Sequence, residues 1–513
     1  MGKNEAIEKR MNDMHRNANN PNNPASLNKA NSNNQKDAKK AKKVGNYKSS
    51  VNQKELKNEG AVLQPGQEIL LTIRRVGING EGVGYYKKKV VFVPDAIPEE
   101  VVEVKITKVE PSFAEGIIKK IKSKSASRMQ PPCPVYNECG GCQLQHINYE
   151  KQLRAKENMV RGAFSKYTRL EELPLRPIYG MDNPWGYRNK AQLQVGVQDG
   201  KIITGLYAPE SHKLVDIGDC PIQHPKTNEM IAAAREVLDM LHVPVYDEKK
   251  GTGVIRTIVA RVGFETEEQQ LTFVTMVEKI PRKKELITEL RMRLPKLTSI
   301  NQNINEKKTP LIFGDKTVCL WGEARISESL GTVNFSLSPR AFFQLNPSQT
   351  LKLYQAAKEA AALSGQELVV DAYCGVGTIA LWIAPDAREV RGIEVIEEAI
   401  EDAKRNAERS GIANARFYAG RAEELLPQWV KQGERPDVIV VDPPRTGCDK
   451  ALLDAVLKAK PKRFVYVSCN PSTLAKDVQY LLKSYQLEWI QPVDMFPQTS
   501  HVECVIGMQR INS

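Results

Sequence analysis

Three rhythms of apolar and polar residues succeed one another along the chain. From residue 61 to 125 short β-branched runs, Gln67–Arg74, Lys88–Pro94 and Glu100–Thr107, are separated by glycine-rich turns such as Gly77–Gly84. Regularly spaced short strands with glycine turns predict a small β-barrel of the OB type. From 126 to 325 the rhythm is mixed, with helical periodicity over Tyr149–Lys166 and Asn228–Leu241 and strand-like runs over Lys190–Val197, Ile202–Tyr207, Gly253–Gly263 and Gln270–Val277. This predicts an α+β domain. From 326 to 513, apolar runs at Leu368–Asp371, Val390–Glu394, Asp437–Asp442 and Arg463–Ser468 alternate with amphipathic segments such as Glu397–Ser410 and Lys450–Lys460. Strands buried on both faces read as unbroken apolar runs, so this part predicts a doubly wound, mostly parallel α/β sheet. Its ligand belongs beyond the carboxyl ends of the strands.

Residues 1–60 follow none of these rhythms. Rich in Asn, Lys, Ala and Ser with almost no large apolar side chain, they cannot bury enough surface to offset their ordering entropy and read as a disordered basic tail. Such a tail either adds sequence-independent attraction to phosphates or is a solvated leader. Over all 513 residues, 74 Lys and Arg face 61 Asp and Glu, a net charge of +13, and about seven of those charges fall in the tail. The surplus points to a polyanionic partner, nucleic acid first, against a soluble protein that is merely basic. In the barrel, Tyr85, Tyr86 and Lys87–Lys89 would suit a single-stranded nucleic-acid face, with a plain structural barrel as the competing account. No apolar run approaches the ~18–20 residues of a membrane helix, and the first residues lack the apolar core of a secretory signal. The expectation is a cytoplasmic monomer.

Asp371-Ala-Tyr373-Cys-Gly375-Val-Gly377-Thr-Ile-Ala380 follows a strand and opens a helix. Its glycines let the backbone turn tightly and approach a ligand, a pattern that dinucleotide sites share. Asp371, four residues before Gly375, and the sequence Asp442-Pro443-Pro444-Arg445 after the fourth strand favour S-adenosylmethionine over NAD. Glu394, at the next strand end, would serve ribose hydroxyls in either case.

Cys469 follows its strand directly in Ser468-Cys469-Asn470-Pro471, and Glu503 stands in an otherwise apolar strand after His501. A lone Cys after a buried strand is ordinarily a small filler, and a carboxylate there is either paired or kept for proton chemistry. Together they suit one reaction. Carbon 5 of uracil is a poor nucleophile until a thiolate adds at carbon 6, and a base must later remove the carbon-5 proton. One Cys, one base and one methyl donor suffice.

With these residues in view, the chain resembles the RNA 5-methyluridine methyltransferases of the TRAM-containing, iron–sulfur-bearing kind over about residues 60–510. The motifs are Phe343-Gln344-Leu345-Asn346, the 371–377 loop, Asp442–Arg445, Ser468–Pro471 and His501-Val502-Glu503. The resemblance implies a Rossmann-like methyltransferase domain (326–513), a TRAM barrel (61–125) and a central iron–sulfur domain (126–325). It implies Cys469 as nucleophile and Glu503 as base, with Gln344, Tyr373, Glu394 and Asp442 joining Gly375 and Gly377 around S-adenosylmethionine. The acidic or amide residue that the family often has near Gly420 is not evident, since Arg421 follows. The RNA 5-methylcytidine enzymes carry a second Cys directly after Asp-Pro; here that slot is Pro444, with Cys448 four residues on, which disfavours cytosine. Cys448 and Cys504 read as packing residues.

Cys133, Cys139 and Cys142 crowd together around Gly140-Gly141 and leave a fourth ligand to find; Cys220, followed by proline, is the candidate. Four thiolates suit a [4Fe–4S] cluster or a structural zinc, and the resemblance implies the cluster. His146 and His224 flank these ligands as structural residues. A base attacked at carbon 6 must leave its stack, and Phe342, Phe343 or Phe496 could stack it, though each reads first as a core or rim residue. The barrel and cysteine cluster resemble the 23S ribosomal RNA enzymes more than the simpler transfer-RNA ones. The expected activity is therefore methylation of a 23S uridine. Transfer RNA is the alternative substrate, and a non-catalytic RNA-binding or assembly factor is the alternative class.

Overall fold

The computed structural model describes residues 63–309 and 311–511; the tail expected over residues 1–60 lies outside the described residues. The first unit is a closed five-stranded barrel of β1 (Glu68–Val76), β2 (Gly82–Tyr86), β3 (Lys89–Val93), β4 (Val101–Val109) and β5 (Phe113–Ser123), in the order β1-β2-β3-β5-β4. The period-2 pattern does what it predicts: Ile69, Leu71 and Ile73 are at most 5% exposed, while Leu70 between them is 61% exposed. The expected aromatic and basic face is only partly present. Tyr85, Lys87 and Lys88 are exposed, but Tyr86 packs against the barrel core and Lys89 turns to donate to Glu110 O at 2.7 Å.

The central sheet holds β6 (Lys190–Gln198), β7 (Lys201–Tyr207), β8 (Leu214–Asp216), β9 (Ile255–Val262), β10 (Gln269–Thr275), β11 (Leu297–Ile304) and β12 (Lys316–Gly322) in the order β12-β11-β10-β9-β6-β7-β8. Helices Pro225–Met240 and Lys283–Arg293 cover one face through Met230, Val237, Leu286 and Leu290. A hairpin, β13 (Ile326–Leu330) and β14 (Val333–Leu337), leads into the last unit.

There β15 (Leu368–Ala372), β16 (Glu389–Glu394), β17 (Ala415–Ala419), β18 (Val438–Val441), β19 (Arg463–Ser468), β20 (Tyr485–Val493) and β21 (Glu503–Arg510) form one sheet, ordered β17-β16-β15-β18-β19-β21-β20. The chain runs outward from β15 to β17, then returns to add β18 and β19 on the other side. That reversal opens a crevice beyond the ends of β15 and β18. The first five strands are parallel, and β21 inserts antiparallel between β19 and β20. Val369, Ile439, Val440, Phe464 and Val465 are fully buried, as strands covered on both faces must be. This is the expected methyltransferase architecture.

Helix Tyr149–Tyr167, expected within the central stretch, packs elsewhere. Its Val160 and Phe164 join Leu474 and Val478 in the core of the last unit. The amphipathic pattern required a buried face without naming its partner. The helix also carries a buried ion pair: Lys156 Nζ lies 2.5 Å from Asp494 Oδ1 with both side chains fully buried, and Nζ donates to Phe496 O at 3.1 Å. Tyr149 Oη donates to the other Asp494 oxygen at 2.8 Å, and Gln152 exchanges hydrogen bonds with Gln498 at 2.9 and 3.1 Å.

Gln143, next to Cys142, completes the junction. Its backbone N–H and that of Leu144 donate to Gln498 O at 3.0 and 2.9 Å. Its side chain donates to Gly140 O at 2.7 Å and accepts from Ser500 N at 3.3 Å. The barrel turn meets it as well: a Cβ on Gly80 would stand 2.5 Å from Gln143 Cβ. Among the described residues no helix is long and apolar enough to cross a membrane.

Removing one partner of a buried pair strands the other charge, so Lys156→Met is expected to cost ~3–5 kcal/mol in urea denaturation. Lys156→Met combined with Asp494→Leu should recover much of that loss. A single-variant cost below ~1 kcal/mol would show that the pair does not hold the loop.

Candidate functional site

Four strand ends build the site. Asp371, next to last in β15, is fully buried, and neither of its carboxylate oxygens has a hydrogen-bond partner among the described residues. The loop that follows needs positive φ at Tyr373 (93°), Gly375 (56°) and Gly377 (84°). At Gly377 a Cβ would in addition lie 3.1 Å from the Phe417 ring, tight enough that the ring would have to give by a few tenths of an ångström. A non-glycine residue held at φ 93° is strained, and such strain persists only where the surroundings fix it. Here Tyr373 N–H donates to Ile393 O at 2.9 Å and its hydroxyl to Glu423 Oε1 at 3.1 Å. Glu394, ending β16, accepts from the N–H groups of Gly375, Val395 and Ile396 at 3.3, 2.8 and 3.1 Å. It therefore ties the glycine loop to the neighbouring strand.

The other two ends belong to β18 and β19. Asp442 follows β18 half-buried, and Cys469 follows β19 half-buried. The register of β19 against β21 sets Ser468 opposite Cys504, so the next residues outward, Cys469 and Glu503, face each other across the two strands. Asn470 fixes the adjoining loop: its Nδ2 donates to Arg445 O at 3.0 Å, while its Oδ1 caps helix Pro471–Leu481 at Ser472 N. Arg445 Nη2 lies 3.0 Å from His501 Nδ1.

Three carboxyls crowd this crevice. Burial, aided by the charges of Asp442 and Glu394, pushes Asp371 up to about 8. Burial alone lifts Asp442 to about 7. Glu503 is raised to about 8 by burial and by Asp442, with Arg445 pulling the other way. Burial and Glu503 also push the Cys469 thiol well up, again opposed by Arg445. His501 is held neutral, down to about 3, by burial and by the cations of Arg445, Lys156 and Arg188. Arg445 is thus the cation that offsets the anionic forms of both Cys469 and Glu503.

Gln344 sits half-buried in the loop before helix Pro347–Ala361, its carbonyl accepting from Asn189 Nδ2 at 3.0 Å. Asn346 joins that loop to the segment before Glu503 by donating to Met495 O at 3.0 Å. Phe343 is a core residue, 2% exposed, with its ring tilted 58° against that of Phe335, so it is not free to take a base; Phe342 is 58% exposed, and Phe496 is half-buried against His501. Glu423 was not found from the sequence. One of its oxygens holds Tyr373; the other, buried and without a hydrogen bond among the described residues, lies 3.9 Å from Arg421 Nε. Its only signal was an acid in a first helical turn, which is commonplace.

Away from the crevice, Cys133, Cys139, Cys142 and Cys220 line one cavity with Arg188, whose buried Nε has no hydrogen-bond partner among the described residues. Burial pushes Cys139 up to about 11 and Cys142 up to about 12. His146 accepts from Tyr136 Oη at 2.6 Å or donates to it, and His224 caps helix Pro225–Met240. Among the described residues no group of three His, Cys, Asp or Glu is spaced to hold a single metal ion. Cys504 is fully buried beside Glu503, and Cys448 packs near Tyr466 and Asp477.

Residues 325–511 match the tRNA (Uracil-5-)-methyltransferase family model, and residues 62–119 match the TRAM domain. An uncharacterized RNA methyltransferase of Bacillus cereus is 56% identical over 456 residues, covering 88% of this chain and 99% of the relative. Another from Listeria innocua is 52% identical over 451 residues, covering 87% of this chain and 99% of its own length. Among solved structures, the Pyrococcus abyssi tRNA (uracil-54, C5)-methyltransferase in complex with S-adenosyl-L-homocysteine superposes with a TM-score of 0.69. It is 28% identical, and the match covers 86% of this chain and all of that one.

A carboxyl whose folded pKa is raised binds a proton more tightly folded than unfolded. The stability contributed by Asp371, Asp442 and Glu503 is therefore full below the ordinary carboxylate range and lost as pH rises through about 7 to 8. The urea midpoint of the free protein should fall between about pH 6 and pH 8.5, and Asp371→Asn should flatten the fall. An unchanged slope in that variant would remove Asp371 from the titrating set.

Proposed function

This chain belongs to the RNA uracil-5-methyltransferase family that carries a TRAM domain, and from that premise we propose that it methylates carbon 5 of a uridine in 23S ribosomal RNA through a covalent adduct to Cys469. That it is an RNA methyltransferase with an S-adenosylmethionine-binding fold follows from its relatives. The observation that carries the finer proposal is the β19–β21 register, which sets a thiol and a buried carboxyl face to face beyond the sheet edge.

In this mechanism Cys469 Sγ, as thiolate, adds to carbon 6 of the extruded uracil, and the C5–C6 π electrons move into an enolate. Carbon 5 then takes the sulfonium methyl, releasing S-adenosylhomocysteine. Glu503, ionised, removes the carbon-5 proton, the double bond re-forms and the thiolate leaves. Arg445 is placed to favour both anions. In this reading Gly375, Gly377, Tyr373 and Glu394 would hold S-adenosylmethionine at the glycine loop, and Gln344 and Asp442 would complete the contact set.

For the cysteine cavity we propose a [4Fe–4S] cluster on Cys133, Cys139, Cys142 and Cys220. The donor set there is four thiols lining one cavity, a set that suits a [4Fe–4S] cluster or a structural zinc. With four thiolates as ligands the bound group would carry net negative charge, which suits the Arg188 side chain in the same cavity, whose Nε has no hydrogen-bond partner among the described residues. When bound, the cluster would cross-link the two cysteine segments and place negative charge beside Arg188. Transfer RNA is the second substrate reading, favoured by the likeness to the Pyrococcus abyssi tRNA (uracil-54, C5)-methyltransferase.

Labelled S-adenosylmethionine offered with unmodified ribosomal and transfer RNA, followed by nucleoside mass spectrometry, separates the substrates. Label in 5-methyluridine of 23S RNA is expected. Label in transfer RNA alone would move the substrate assignment and leave the chemistry intact. Cys469→Ala should bind RNA and transfer no methyl. Glu503→Gln should accumulate a slower band on a denaturing gel, since addition proceeds while proton removal stalls; its absence removes Glu503 as the base. Wild-type transfer should rise with pH through about 8 as Glu503 ionises. Iron and labile sulfide are expected in anaerobically purified protein, and zinc without sulfide would overturn the cluster.

A further inference from the structure

A second cavity, of about 440 Å³, opens beside the cysteine segment and is used by none of the chemistry above. Its volume lies in the range of sites that hold small organic groups. Trp185 and Tyr149 supply aromatic surface, Met129 and three prolines supply apolar walls, and Gln130 and Gln498 supply amides. No Lys, Arg, Asp or Glu lines it, so it is not built for a phosphate or a sulfonium. Two hydrogen-bonding groups at the cavity are uncommitted: the half-buried Trp185 indole N–H and the exposed Gln130 amide have no hydrogen-bond partner among the described residues. An uncharged, planar ligand with donors and acceptors on its edge matches this lining, and a nucleobase is that ligand.

The cavity is also tied to the reacting edge through one loop. Gln498 lines it, while Gln498 O is held by the Gln143 and Leu144 amides and Gln498 stands five residues before Glu503. Even fully extended, that stretch spans at most roughly 17 Å. A strand whose target uracil has left its stack to reach Cys469 thus has neighbouring bases, themselves deprived of a stacking partner, within reach of Trp185.

We propose that this cavity seats a second, unstacked base of the substrate RNA a few nucleotides from the methylated uridine, stacked on Trp185 and edge-bonded by Gln130. The proposal rests on RNA being bound with its target at Cys469, and it adds a recognition site for a base that is not modified.

The test uses the full chain and a pool of short single-stranded oligoribonucleotides carrying one 4-thiouridine at varied positions. Photo-cross-links from the wild-type protein are expected on the peptides containing Trp185 or Met129, in addition to those at the Cys469 edge. Trp185→Ala should weaken binding of the pool about tenfold, within the usual worth of one stacked base, and leave S-adenosylhomocysteine binding unchanged, while Trp185→Phe should retain most of the affinity. Cross-links confined to the Cys469 edge, or Trp185→Ala binding the pool as wild type does, would overturn the proposal. If Trp185→Ala also loses S-adenosylhomocysteine binding, its fold is damaged and the wild-type cross-link map with Trp185→Phe decides. Cross-links at Trp185 without 5-methyluridine formation on any RNA would sink the proposed reaction and leave the base seat standing.

Discussion

The Lys156–Asp494 ion pair is closed to solvent at both ends, and the geometry of the thiol–carboxyl edge hangs from the loop it anchors. Residues 494–500 carry no regular structure, yet they must deliver His501 and Glu503 to the edge of β19. Lys156 pins the start of that loop, Gln152 and Gln143 pin its middle, and the β21 pairing pins its end. Irregular chain ordinarily sits at the surface and moves. Here it is buried because side chains from an earlier part of the sequence satisfy its backbone, leaving little freedom in the placement of Glu503.

That anchoring makes the electrostatics of the crevice possible. Asp371, Asp442 and Glu503 would repel one another if all were ionised, and one guanidinium, Arg445, offsets only part of that charge. A free peptide would relieve the strain by swinging a carboxylate into water. The fold forbids this by setting each carboxyl on a strand end or its immediate continuation, so the groups hold protons at pH values where carboxyls are ordinarily bare. A protonation state poised near neutrality is a property of the scaffold rather than of any one residue.

Much of this was legible in the chain. The strands of the last sheet announce themselves because burial on both faces leaves no room for polar residues, and Leu368–Ala372 and Arg463–Ser468 lie where the apolar runs put them. Cys469 and Glu503 stood out as chemistry in apolar surroundings. Cys220 was sought because three clustered cysteines leave a tetrahedral set incomplete, and it does line the cavity of the other three. What stayed hidden depends on long-range packing. The apolar face of Tyr149–Tyr167 says that something covers it, not that Leu474 and Val478 do. Tyr86 and Lys89 have the sequence of a nucleic-acid face, but strand register turns one inward and lets the other hydrogen-bond. Glu423 carries only the commonplace signal of an acid in a first helical turn and Trp185 carries none, since what the fold sets beside them is not written locally.

The crowding of Gly80 against Gln143 bears on how interchangeable the units are. A barrel joined to its neighbours only by a linker could be swapped for any other of its class. This one is keyed: its first turn reaches a side chain that also spans the cysteine turn and the loop before Glu503. A transplanted barrel with any side chain at the Gly80 position would have to displace Gln143, and with it the hydrogen bonds to Gly140 and Ser500. Such a chimera would fail at the far side of the molecule, although every domain in it was intact.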